Sequence, residues 1–257
     1  MFGAILKSYY CGKNGIDPKD IFVVSIMPCT AKKSEKERPE LSVNGLPDVD
    51  AVLTTRELGK LIKRSGINFV KLPDAEFDND IVGDYTGAGV IFGATGGVME
   101  AALRTAAYKL TGEELAKMEL QEVRGLNGIK EASYTLGGAQ INVAVAHGMK
   151  HAKVLLDEIR AGTSKYHFIE IMGCPGGCVA GGGQPYVKPC FLPNEDADIL
   201  DTFRTKRAAA LYQEDESKAL RASHKNPQII ELYASYLGEP NSHKAHELLH
   251  TTYAARE

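Results

Sequence analysis

Three cysteines and one lysine carry the chemistry this chain can do. Cys174 and Cys178 stand in Cys174-Pro175-Gly176-Gly177-Cys178-Val179-Ala180-Gly181-Gly182-Gly183-Gln184-Pro185, a stretch whose five glycines offer no packing surface. Glycine serves where the backbone must approach a ligand closely or turn through positive φ, and thiolates flanked by free amides suit a sulfur-rich anionic group. Soft thiolates select iron-sulfur clusters, zinc or copper(I). Structural zinc usually takes four ligands from paired knuckles, and only three plausible thiolates are visible here. The third is Cys29, in Met27-Pro28-Cys29-Thr30-Ala31-Lys32-Lys33-Ser34-Glu35. Taken alone that string reads as a buried cysteine before a solvated charged run. Beside the glycine-rich segment, Lys32 becomes a localised ammonium able to donate to an anionic ligand near a thiolate.

Two other constellations compete. His246-Glu247-Leu248-Leu249-His250 is a formal His-Glu-x-x-His, which in a zinc peptidase puts two imidazoles on one helix face with a glutamate base. A third ligand is required, and none of the residues after His250 is His, Asp or Cys, Glu257 being terminal. Leu248 and Leu249 are therefore expected to pack and the histidines to lie at the surface. Gly93 to Gly97 could cradle a phosphate at a helix start, but no Gly-Lys-Ser/Thr follows it.

The elements that must hold these residues follow from periodicity. Phe2, Ile5, Leu6, Tyr9 and Tyr10 share a helical stripe that Gly12 is expected to stop, so the chain is expected to begin inside structure without a leader. Residues 21 to 26 read as a buried strand and 50 to 53 as a second, after which Thr54 or Thr55 caps a helix running to Gly66. Residues 90 to 92 read as a strand before the glycine turn and a helix carrying Met99, Ala102, Leu103 and Ala106. Strands are expected at 119–124, 131–136 and 141–146, a helix from Met149 to Arg160, and a strand from Tyr166 to Met172. The last three make a strand-helix-strand unit with parallel pairing. Val24 to Cys29 and Ile169 to Cys174 both read strand, Met, small residue, Cys. Both thiols thus fall past strand carboxyl ends, where open parallel sheets place ligands.

The 257 residues, 44% apolar, can bury a substantial core. Acidic and basic residues number 33 and 30, which leaves no field to recruit nucleic acid or anionic membrane. No apolar run approaches the ~18 residues of a membrane span. Five cysteines, an odd and sparse number, argue against a disulfide framework and for a reducing, cytoplasmic setting. The fold expected is α/β, two-lobed, with mixed or parallel sheets flanked by helices and a carboxyl-terminal helical extension.

Met27 to Glu35, Phe92-Gly93-Ala94-Thr95-Gly96-Gly97-Val98-Met99-Glu100 and Met172 to Pro185 resemble the signatures of the iron-only (FeFe) hydrogenase catalytic domain. Ser223 to Pro227 and Ala245 to His250 resemble that family's carboxyl-terminal extension. The resemblance implies a partial catalytic domain over 1–194 and a helical extension, similar to the hydrogenase small subunit, over 195–257. It implies an H-cluster, a 4Fe-4S cubane linked to a diiron subsite, held by Cys29, Cys174 and Cys178, with Cys178 also bridging to the diiron unit. Lys32 would donate to a cyanide ligand. Met27, Pro28, Phe92, Gly93 and Met172 would form the surrounding shell, with Glu35 orienting the loop. The implied activity is reversible oxidation of H2 to protons and electrons, passed to a ferredoxin-like or flavoprotein carrier. The family's Thr-Ser-Cys-Cys-Pro motif, source of the fourth ligand and a proton-passing cysteine, has no counterpart in these residues, and neither Cys11 nor Cys190 replaces it. The chain thus resembles the downstream part of a catalytic domain, either a truncated product or one half of a split enzyme completed by a companion chain. The rival reading is a non-catalytic hydrogenase-like iron-sulfur protein for electron transfer, assembly or sensing.

Overall fold

The amino-terminal apolar stripe forms helix. α1 (Phe2–Ile5) continues through a π-helical stretch, Leu6–Tyr10, into α2 (Cys11–Asn14). Gly12 lies inside that helix and does not stop it; Gly15 does, at φ 64°, because the left-handed cap is the position that favours glycine. These elements come from a computed structural model that describes residues 1–75, 83–115, 119–187 and 199–253. Cys190 lies outside the described residues. The chain divides into two compact units: Met1–Asp84, Gly182–Pro185 and Pro227–Glu257 in the first, Tyr85–Gly181 and Tyr186–Asn226 in the second.

In the first unit β1 (Val24–Met27) is followed by α3 (Lys32–Glu35), a short hairpin of β2 (Ser42–Val43) and β3 (Leu46–Pro47), then β4 (Ala51–Thr54) and α4 (Thr55–Arg64). β1 pairs parallel to β4, from Val24 opposite Ala51 to Met27 opposite Thr54. The strand is shorter than expected and is not buried: Val24 and Ile26 are 45% and 46% exposed, because a two-stranded sheet has little to cover its second face. Thr54 closes β4 and opens α4 in a capping box, its hydroxyl accepting from the Glu57 amide while the Glu57 carboxylate accepts from the Thr54 amide.

The second unit begins with α5 (Gly87–Ile91), α6 (Gly97–Thr111), β5 (Ile129–Leu136) and β6 (Ala139–His147). α7 (Met149–Arg160), β7 (Phe168–Met172) and α8 (Ile199–Ser217) complete it. β5 and β6 form an antiparallel hairpin across Gly137-Gly138, and β6 pairs parallel to β7 across α7, the strand-helix-strand unit expected. Two expectations are overturned. Residues 90 to 92 are not strand: Val90 and Ile91 end α5, whose start is fixed by Thr86 capping Gly89 and by Gly87 lying against Asp215 too closely for any side chain. Residues 119 to 124 hold a single 3-10 turn, Gln121–Val123, which packs Leu120 and Val123 with Met99, Leu103 and Val143 in the core.

α8 belongs to this unit by charge as well as contact. Arg104 of α6 is fully buried, bonding both Asp215 oxygens at 2.8 Å and Glu100 at 2.7 Å, while Arg124 and Arg221 close the same network. Burial alone would ease the proton off Arg104, but Asp215 and Glu100 hold it above its ordinary value. α9 (Pro227–Leu232) and α10 (His243–Leu249) belong to the first unit, where Leu232, Leu237, Ala245 and Leu248 pack on Ala4 and Ile5. Among the described residues no helix is long and apolar enough to cross a membrane.

Candidate functional site

Pro28 lacks an amide proton and ends β1, so the chain turns out of the sheet with Cys29, a partly exposed free thiol, in the turn. The Pro28 carbonyl accepts the Gly183 amide at 2.8 Å, and Gly183 in turn accepts the Arg56 amide at 3.2 Å. A Cβ on Gly183 would stand 2.9 Å from Thr54 and 3.0 Å from the Pro28 carbonyl carbon, so the end of the glycine-rich segment can lie on β1 and β4 only as glycine. Lys32 begins α3 and pairs with Glu35, both within reach of solvent. Met27, Lys32 and Glu35 line one groove of about 780 Å³, together with Asp48, Val52 and His246. Nearby, the Lys33 ammonium and the Thr54 amide and hydroxyl lower the Glu57 pKa to about 2.

The second thiol pair is built differently. After β7, Gly173 leads to Cys174 and then to Gly176 and Gly177, at φ 84° and 97°, before Cys178 enters a 3-10 turn. Backbone groups tie this loop down. Gly177 donates to Cys174 at 3.0 Å, Thr95 to Gly176 at 3.1 Å, and Val179 to Gly93 at 2.9 Å. The Val179 carbonyl accepts from Arg207 at 3.0 Å, and the Arg204 stem lies against Gly176. A Cβ on Gly177 would fall 2.6 Å from the Thr95 nitrogen, so the loop and the Gly93 to Gly97 turn are in direct backbone contact. Cys178 is exposed and Cys174 partly so.

Beneath that loop and turn lie charges that no sequence motif marks. Glu170 of β7 accepts from the Gly96 and Met99 amides at 2.7 Å each, at the start of α6. Burial raises its pKa against the pull of those amides and of Lys130. Lys130 of β5 donates to the Gly125 carbonyl at 3.0 Å and to both Thr95 oxygens at 3.3 Å, and burial pulls it down to about 8. His147, last in β6, accepts the Gly176 amide at 2.7 Å. The signal that could have found them is a charge or imidazole inside an otherwise apolar strand, as in Phe168-Ile169-Glu170-Ile171-Met172.

The expected site residues are thus divided. Met27, Pro28, Cys29, Lys32 and Glu35 lie in the first unit; Phe92, Gly93, Met172, Cys174 and Cys178 lie in the second. Phe92 is exposed at the end of α5, next to the Gly93 carbonyl that holds Val179. The Met172 carbonyl accepts the Gly148 amide at 2.8 Å. Cys11 is buried, and burial followed by the Asp17 charge pushes its thiol pKa up, which suits packing. His246 of α10 and His250, just past its end, meet edge to face with Nδ1 atoms 2.6 Å apart, and Leu248 packs inward as expected. Among the described residues no three His, Cys, Asp or Glu side chains are already gathered as a metal-binding group. What fits a cubane is the donor chemistry: three soft thiols just past strand ends, one pair on a loop of glycines that bring amides close.

Residues 1–182 match the family described as iron only hydrogenase large subunit, C-terminal domain, and residues 201–256 match iron hydrogenase small subunit. NADP-reducing hydrogenase subunit HndD of Solidesulfovibrio fructosivorans is 52% identical over 257 residues, 100% of this chain and 42% of the relative. Iron hydrogenase 1 of Clostridium pasteurianum is 48% identical over 253 residues, 98% of this chain and 43% of the relative. A solved structure of an FeFe-hydrogenase HydA1 variant from Chlamydomonas reinhardtii superposes with a TM-score of 0.79 at 45% identity, over 99% of this chain and 68% of that one. A more distant relative, cytosolic iron-sulfur assembly component 3 of Mus musculus, is 30% identical over 261 residues, 100% of this chain and 52% of its own length. The chain spans less than half the length of these two hydrogenases.

Proposed function

From the premise that the chain belongs to the iron-only hydrogenase family, we propose that it forms part of a hydrogenase catalytic domain that interconverts H2 with protons and electrons. The observation that carries this reading is the Cys174 to Cys178 loop, whose backbone is tied down at Gly93, Thr95, His147 and Arg207 while its sulfurs reach the surface. Such a loop is rigid where a ligand needs it and open where a cluster would sit.

Cys29, Cys174 and Cys178 would supply three thiolates to a cubane, Cys178 also reaching the diiron unit, and the fourth would come from a companion segment or chain. When bound, the H-cluster supplies the site of hydrogen chemistry and the electron relay. Lys32 would turn its ammonium from Glu35 toward the cyanide on the cluster, an exchange that costs little because the pair is solvated. Met27, Pro28, Phe92, Gly93 and Met172 would keep water from the cluster, and Glu35 would hold Lys32 near its working position. Electrons would pass to a ferredoxin-like or flavoprotein carrier. The test is Lys32→Ala in the completed enzyme. Hydrogen turnover is expected to vanish while iron content stays at the unaltered level; unchanged turnover would refute the donor role.

The assembly relative supports a second reading, in which the chain carries an ordinary cubane for assembly or electron transfer. Infrared absorption in the cyanide and carbonyl region of the matured protein separates the two, since an ordinary cubane has neither ligand.

A further inference from the structure

His147 has no part in the hydrogen chemistry proposed above, yet it is 6% exposed at the last position of β6. Its Nδ1 accepts the Gly176 amide proton, so Nδ1 is bare and the ring is the Nε2–H tautomer. Burial first, then the Lys130 charge, holds its pKa below the ordinary value, and the ring stays a neutral acceptor. The backbone that carries the ring is itself fixed: the His147 amide donates to the Gly128 carbonyl at 3.1 Å and the next residue, Gly148, donates to the Met172 carbonyl at 2.8 Å, tying the end of β6 to the strand that leads into the loop. Gly176 stands midway between Cys174 and Cys178 and has no side chain to anchor it. Of its two backbone groups, the carbonyl is held by Thr95 and the amide by His147. Without the imidazole a buried amide would lack its partner, and the peptide between the two cysteines could rotate.

We propose that His147 is the positioning residue of the cysteine loop: as a neutral acceptor it fixes the Gly176 peptide so that Cys174 and Cys178 present their sulfurs in the one arrangement a single cubane can use. The inference rests on reading those cysteines as ligands. It predicts a specific chemical requirement at position 147, an acceptor at Nδ1, which Asn can supply through Oδ1 and Leu cannot.

The test compares the unaltered full chain with His147→Asn and His147→Leu. It reads hydrogen exchange at the Gly176 amide, then iron and sulfide content after anaerobic incubation with ferrous iron, sulfide and excess dithiothreitol. Leu is expected to speed Gly176 exchange about tenfold, the size of one lost hydrogen bond, and to halve iron uptake or worse. Asn is expected to restore both. Should the Leu variant not fold, His147→Gln takes its place, since its oxygen reaches toward the Nε2 position; uptake in Asn but not Gln is the expected pattern. Equal iron uptake and equal Gly176 protection in all variants would overturn the positioning role while leaving the ligand reading intact. No iron in the unaltered chain would overturn the ligand reading and this inference with it.

Discussion

The two cysteine-bearing strand ends answer one need with opposite construction. Past β1, Cys29 sits in a turn held by one glycine amide, and Lys32 waits in a solvated ion pair. Past β7, the cysteine loop is bonded by His147 and lies against the glycine turn that Glu170 and Lys130 hold, all three of them buried and bonded to backbone. A glycine loop has no side chains with which to hold itself, so its shape must be imposed from beneath; a turn that carries a functional lysine needs that side chain free to move. Buried polar support thus lies under the second strand end, and a solvated ion pair at the first.

That contrast can be broken by mutation, and the largest effect belongs to the second unit. Arg104→Ala removes the buried guanidinium that Glu100 and Asp215 share, leaving Glu100 to Arg124 and Asp215 to Arg221, and is expected to cost about 3–5 kcal/mol in urea unfolding. A loss below about 1 kcal/mol would mean the network is not what joins α8 to α6. Next, Glu170→Leu removes the acceptor for the Gly96 and Met99 amides at an expected ~1–3 kcal/mol, and it should loosen exchange at both amides. In the first unit, Thr54→Ala deletes one half of the capping box and should cost about 1 kcal/mol, measured the same way. Equal costs for Thr54 and Arg104 would erase the contrast.

A further effect is one of pH. Burial lowers Lys130 to about 8 from 10.5, so the unfolded chain binds more protons between those values. Stability should therefore rise as pH climbs through that window, and Lys130→Met should flatten the rise. A steeper rise in the variant would contradict the burial assignment.

Much of this was legible in sequence because it is local. The hairpin across Gly137-Gly138, α7 from Met149 to Arg160, the Thr54 cap and the two strand ends with their thiols all follow from neighbouring residues. Residues 90–92 and 119–124 misled because short apolar runs do not distinguish strand from helix turn; Thr86 and Asp215 decided the first, and the Met99 core the second. The supports under the cysteine loop were illegible for a different reason. Glu170 finds Gly96 across 74 residues and Arg104 finds Asp215 across 111, and no local pattern encodes such partners.

One measurement reaches the core of the account most directly: iron and sulfide bound per chain after anaerobic reconstitution, for the unaltered protein and for Cys29→Ala, Cys174→Ala and Cys178→Ala. About four of each per chain are expected in the unaltered protein, with each substitution depleting both. A Cys29→Ala chain that keeps the full complement would separate Cys29 from the other two and contradict a cluster shared by all three.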